Sequence, residues 1–317
     1  MTQLNKVIYY PALSSGPSKH WLINEPKYRF YNEHPYFLLS AGHHYTNINA
    51  RKDFGLNDIE VMGDSGGYQL KSGVLKWNDS LKTDVFNWLE QNADIAMCLD
   101  YPPHDNDFNK CLDISIDNAK HFEKYQSGKV KYLNVLQGNT TEEYDKWFKK
   151  INKFNFHGWA VNANDSMKNI IYSLSLLHDN VKHIHYLGIV DWRNIVVLTM
   201  IQNILKDKTI ISFDNSIPSK LATQNLYLTE YKYDTPIMLY LQHDKIIGDK
   251  DIKDIEQELT VYNVMFINKF INKLTDIIDQ KINRNIIFSD NQKILYNTIE
   301  KIIYKNKNYK KLFGSLS

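Results

Sequence analysis

Short apolar, β-branched or aromatic runs recur along the first two-thirds of the chain, and segments of helical period separate them. The runs cover residues 7–10, 36–40, 59–63, 94–99, 131–136, 158–161, 183–188 and 209–213. Helix-like segments lie between them at 84–91, 113–125, 141–154, 166–177 and 192–205. Strands that alternate with helices run parallel, because each return to the sheet needs a crossover. Eight such strands in about 210 residues predict an α/β protein, a closed (β/α)8 TIM barrel rather than an open sheet. The third helix-like segment opens with Thr140-Thr141-Glu142-Glu143, a capping-box pattern that satisfies free amides at a helix start.

After residue 217 the pattern changes: residues 252–282 and 292–305 read as long amphipathic helices without a strand between them. The expected organisation is a barrel core over residues 1–220 and a mainly helical region over 221–317. Near the end, Lys305, Lys307, Lys310 and Lys311 interleave with Tyr304, Tyr309 and Phe313. Lysines neutralise phosphates and aromatic rings stack on bases, so this stretch is a candidate nucleic-acid contact. A solvated helix end with a frayed tail accounts for it equally well. Tyr227, Tyr231 and Tyr233 also lie close together, and packing is the default reading for them.

A hydrophobic content of 43% and a charged content of 23% are ordinary for a soluble globular protein. A net charge of +2 does not by itself announce a nucleic-acid binder. No run is long enough to span a bilayer, and no charged-then-apolar leader opens the chain, so a cytoplasmic protein is expected. Two cysteines, Cys98 and Cys111, supply neither a disulfide framework nor a four-ligand zinc site. The bias toward Asn, Ile, Lys and Tyr suggests an AT-rich genome.

Polar residues cluster just after the apolar runs, where a barrel places its active site. The third run leads into Asp64-Ser65-Gly66-Gly67-Tyr68-Gln69 and the fourth into Asp100-Tyr101-Pro102. Gln137-Gly138 follows the fifth and Asp214-Asn215-Ser216 the eighth. One aspartate at a strand end reads as well as a helix cap; four polar ends at one mouth read as a site.

These residues resemble the tRNA-guanine transglycosylase family. Asp64-Ser65-Gly66-Gly67-Tyr68-Gln69 is similar to its Asp-Ser-Gly-Gly-aromatic-Gln signature. Residues 93–100, Leu136-Gln137-Gly138, residues 156–161, Tyr186-Leu187-Gly188 and Phe213-Asp214 follow in the family's order. Gly42-His43-His44-Tyr45 stands where the family has a His- and Tyr-containing turn. The likeness spans roughly residues 35–220.

The resemblance implies exchange of guanine in a nucleic acid for a 7-deazaguanine base such as preQ0, with no cofactor. Asp214 would be the nucleophile and Asp64 the general acid and base. Asp100 would read the guanine edge, Gln137 its O6, and Tyr68 would stack on the base. Ser65 and Gly138 belong to the same substrate-binding motifs. Gly66, Gly67 and Gly188 would let backbone approach the ligand. A duplex or folded substrate would have to expose its guanine by base flipping.

Departures from the family narrow the reading. No cysteine follows Cys111, so the family's structural zinc site is missing. Tyr101-Pro102 stands in place of Glu-Cys, and Asn162-Ala163-Asn164 in place of a glycine pair. A short, zinc-less chain looks most like the bacteriophage DNA-guanine transglycosylases, so DNA is favoured over tRNA, with host cytoplasm as the location. The alternatives are a tRNA-acting enzyme and a non-catalytic nucleic-acid-binding subunit. Gly63-Asp64-Ser65-Gly66-Gly67 also matches the nucleophile loop of trypsin-like proteases, but Tyr68 replaces the usual proline and disulfides are lacking. A metal-dependent hydrolase using His43, His44, His183 and His185 is a further rival, without a matching carboxylate pattern.

Overall fold

The computed structural model describes residues 6–12, 34–78, 80–103, 107–177, 181–232, 235–240, 252–279 and 290–305. Eight strands form one parallel sheet: β1 (Ile8–Pro11), β2 (Tyr36–Ser40), β3 (Glu60–Asp64), β4 (Ile95–Met97), β5 (Lys131–Leu136), β6 (Gly158–Val161), β7 (His183–Tyr186) and β8 (Ile210–Asn215). Their order is β1-β8-β7-β6-β5-β4-β3-β2, and a parallel bridge between Ala12 and Leu38 joins the first strand to the second. The chain is therefore a (β/α)8 barrel. Each strand lies within two residues of its expected position.

The helices between the strands are α1 (Ala41–His44) and α2 (Ala50–Asp53) after β2, then α3 (Gly67–Lys71) and α4 (Leu81–Asn92) after β3. One helix follows each of the next four strands: α5 (Phe108–Tyr125), α6 (Thr141–Ile151), α7 (Met167–Leu177) and α8 (Trp192–Leu205). The capping signal of α6 is realised in part. Thr140 Oγ1 accepts from the Glu143 amide at 3.2 Å, while the Glu143 carboxylate takes the amide of Asn139, one residue earlier than the motif specifies.

Side chains alternate across each strand, so a two-residue period decides what fills the barrel. Tyr10, Leu38, Met62, Ile95, Met97, Leu133, Val135 and Ala160 pack together as the apolar interior. One step further toward the carboxyl ends the same face turns polar, at Ser40, Asp64, Gln137, Asn162 and Asp214. The opposite face meets the helices, where Trp88, Trp147, Tyr144 and Phe213 are fully buried in a second, larger core.

Beyond β8 come α9 (Ile217–Thr223), an antiparallel hairpin of β9 (Leu226–Lys232) and β10 (Thr235–Tyr240), then α10 (Ile252–Asp279) and α11 (Asp290–Lys305). The hairpin lies in a region expected to be mainly helical. The last two helices are packed onto the barrel: Val264, Ile267, Phe270 and Ile299 share the core of the helix layer. Helix α8 explains why. It buries residues on nearly all its faces, so something must cover the side turned away from the strands. Trp192 meets Phe270 edge-on at 5.7 Å, Tyr296 bonds Asn203 at 2.9 Å, and Tyr304 bonds the Ile204 carbonyl at 2.8 Å.

Gly158 at the start of β6 tests how closely the sheet is packed. A β-carbon there would stand 2.1 Å from the His183 carbonyl oxygen on β7, and backbone has no rotamer with which to yield. Gly158→Ala is expected to destabilise the protein by about 1–3 kcal/mol or more in urea denaturation; an unchanged midpoint would contradict the packing described.

Candidate functional site

Three aspartates stand at the carboxyl ends of the strands. Asp64 ends β3, Asp214 lies near the end of β8, and Asp100 follows β4. Asp64 is close enough to Asp214 and Asp100 for their charges to bear on one another. Among the described residues no lysine or arginine pairs with any of the three.

Each carboxylate has its own partners. Asp64 Oδ2 accepts from Ser40 Oγ at 2.6 Å, and Oδ1 from the Gly66 amide at 3.2 Å. The partnership with Ser40 follows from register, since Ser40 and Asp64 face each other across β2 and β3. Burial raises the Asp64 carboxyl above the usual carboxylate range; the bonds from Ser40 and Gly66 oppose that, and the charge of Asp214 adds to it. Asp214 Oδ1 accepts from the Gly188 amide at 3.0 Å and from His185 Nε2 at 3.1 Å. Gly188 carries φ +62°, so its left-handed backbone is what aims this amide at the carboxylate.

Asp100 is the most buried of the three, with 6% of its surface exposed. Burial pushes its carboxyl up to about 7, Gln137 pulls it down, and the charge of Asp64 pushes it up again. Gln137 Nε2 donates to Asp100 Oδ2 at 2.7 Å, and Asn162 Nδ2 donates to Gln137 Oε1 at 2.8 Å. Asn162 thus decides which end of the Gln137 amide faces the aspartate. Its role depends on a contact between β5 and β6 that spacing alone does not reveal.

Several expected site residues turn out to shape the walls. Ser65 is 1% exposed and bonds the Cys98 carbonyl at 3.2 Å, so its hydroxyl is turned away from the mouth and is not a protease-like nucleophile. Gly66 and Gly67, expected to admit a ligand, admit neighbouring protein instead. A β-carbon on Gly66 would lie 2.8 Å from the Gly42 Cα, and one on Gly67 would lie 2.7 Å from Asp100 Oδ1. Gly138 makes room for the first turn of α6, where a β-carbon would meet the Tyr144 amide nitrogen at 2.9 Å. Tyr68, on α3 four residues after Asp64, is 74% exposed. Gln69 Nε2 and His43 Nε2 are 3.0 Å apart, which ties α1 to α3.

The four histidines of the metal-site alternative do not gather. His183 and His185 point into the barrel and share Ser212, while His43 pairs with Gln69. Among the described residues no three His, Cys, Asp or Glu side chains form a ligand set. Lys305 is the last residue of α11, which packs on α7 and α8; Lys307, Lys310 and Lys311 lie outside the described residues. Among the described residues no helix is long and apolar enough to cross a membrane.

No family model matches the chain, and no curated protein matches it. Among solved structures, one described as a sugar phosphate isomerase/epimerase from Anabaena variabilis shares 10% identity. The likeness covers 84% of this chain and 99% of that one, with a TM-score of 0.41.

The Asp100 carboxyl makes stability depend on pH in a defined sense. Between its ordinary value of 3.8 and about 7 the folded chain holds a proton that the unfolded chain releases. The contribution of this group therefore falls as pH rises and is lost above about 7. Asp100→Asn keeps an acceptor for Gln137 but has no charge to bury. From pH 5 to pH 8 the variant should gain on the native protein by on the order of 2–3 kcal/mol in denaturant titrations. A constant difference would show that Asp100 is not a protonated, buried acid.

Proposed function

We propose that this protein is a guanine transglycosylase, a pentosyltransferase that exchanges a guanine in nucleic acid, DNA by preference, for a 7-deazaguanine base. The observation that carries this reading is the sharing of one barrel mouth by Asp64, Asp100 and Asp214, with the Asp64 carboxyl raised by burial and by the charge of Asp214. The resemblance of the sequence around all three points the same way.

In the proposed reaction Asp214 Oδ2 bonds to C1′ of the nucleotide as the bond from C1′ to N9 breaks. The bonding pair leaves with guanine, which takes a proton from Asp64. A raised acid suits that task, because burial favours its protonated form. The incoming 7-deazaguanine then gives its N9 proton to the Asp64 carboxylate and attacks C1′. The aspartyl ester breaks and Asp214 is restored. Two displacements at one carbon retain its configuration. When ionised, Asp100 accepts from the N1–H and exocyclic amine of the purine, and the second hydrogen on Gln137 Nε2 suits O6. Tyr68 offers its exposed ring as a stacking platform.

The reading is tested with radiolabelled guanine supplied alongside duplex DNA, single-stranded DNA or tRNA. Label is expected to enter DNA with the native protein and not with Asp214→Ala, while Asp64→Asn slows entry by about 10²–10⁴-fold. Entry into tRNA instead would keep the chemistry and change the polymer. If label enters no polymer, and pre-labelled guanine is not displaced by 7-deazaguanines, the chain is a binding subunit.

A further inference from the structure

The inner faces of β7 and β8 carry a row of polar groups that base exchange, as just described, does not use. Two-residue spacing puts His183 and His185 on one face of β7, and both are fully buried. Register sets Ser212 of β8 opposite His185. The Ser212 hydroxyl lies 2.6 Å from His183 Nε2 and 2.8 Å from His185 Nδ1, and His185 Nε2 lies 3.1 Å from Asp214 Oδ1.

For a neutral His185 ring, one end of this row sets the protons along all of it. A carboxylate only accepts, so His185 Nε2 carries the hydrogen that faces Asp214. With the ring neutral, Nδ1 is bare and takes the single proton of Ser212. The Ser212 oxygen then accepts from His183 Nε2–H. That leaves His183 Nδ1 bare; it is buried, with no partner among the described residues. A bare nitrogen is the least costly group to leave there, and burial drives the His183 imidazole well below its ordinary range, which keeps it neutral.

We propose that His185, aligned through Ser212 by His183, is a positioning residue that anchors Asp214 by Oδ1 and leaves Oδ2 as the reacting oxygen. The Gly188 amide meets the same Oδ1 at 3.0 Å, while Oδ2 has no hydrogen-bond partner among the described residues. Two donors, the Gly188 amide and the His185 imidazole, fix the carboxylate plane. The ring of Tyr10 stands edge-on to His185 at 5.9 Å and limits its tilt. When Oδ2 forms an ester, Oδ1 becomes its carbonyl oxygen and keeps both donors, so nothing need reorganise. The catalytic half of this proposal rests on the base-exchange reading; the hydrogen-bond row does not.

Two measurements on the full chain separate them. In ¹⁵N imidazole spectra at pH 7, His183 and His185 should both be neutral and protonated at Nε2, and Ser212→Ala should erode that preference at His185. A His185 protonated at Nδ1, or on both nitrogens, would overturn the proposal whatever the substrate. In the exchange assay, His185→Leu should lower kcat about 100-fold with KM changed by less than about 3-fold. His185→Gln, which keeps a donor near the position of Nε2, should recover most of the loss. A leucine variant with native kcat, or a folded glutamine variant as impaired as the leucine one, would overturn the positioning role. If the native protein exchanges no base, the base-exchange reading fails and the spectra alone decide the row.

Discussion

Three carboxyl groups gathered at one barrel mouth, with no lysine or arginine paired to them among the described residues, are the constraint on which the rest of the site depends. Like charges in a desolvated place cannot all persist, so each aspartate settles differently. Asp100 is the deepest and lies near 7, held by an amide whose orientation Asn162 fixes. Asp64 is raised by burial and is steadied by a hydroxyl and a backbone amide. Asp214 keeps one oxygen on a glycine amide and an imidazole and presents the other. The result is three carboxyl groups in three different environments, which the proposed base exchange would use to carry a proton, to attack and to read a base edge.

The barrel makes this arrangement possible through strand parity. On β2, β3, β5 and β6 the residues that fill the interior are apolar up to the level of Leu38, Met62, Val135 and Ala160, while β7 and β8 bring in His183, His185 and Ser212. The next residue on the same face of β2, β3, β5 and β6 is polar and opens to the mouth. A one-residue slip in β3 or β8 would turn its aspartate toward the helix layer and a core side chain into the barrel. Gly158 and Gly67 enforce the same geometry, because strand and carboxylate approach them more closely than a β-carbon allows.

Much of this is legible in the sequence, and the limits have physical causes. All eight strands and the long helices show through, because burial on both faces gives β-strands continuous apolar runs and amphipathic helices a clear period. Asp64, Asp100, Gln137 and Asp214 can be picked out because strand ends in a barrel converge. The hairpin of β9 and β10 escapes notice because it follows the short helix α9 and its sequence has no glycine-rich turn to mark it. The glycines of the Asp-Ser-Gly-Gly motif are visible, but their neighbours are not: Gly42 and Asp100 lie far away in sequence. The row from His183 to Asp214 is hidden for the same reason. Two histidines two residues apart look like simple alternation until register places Ser212 between them.

Acid quench of the protein with a guanine-containing DNA oligonucleotide would trap the proposed covalent link between Asp214 and the sugar. Base exchange through an aspartyl ester predicts a protein–oligonucleotide adduct that peptide mapping assigns to Asp214 and that added 7-deazaguanine discharges. Release of free guanine without an adduct, or an adduct at another residue, would rule out Asp214 as the nucleophile.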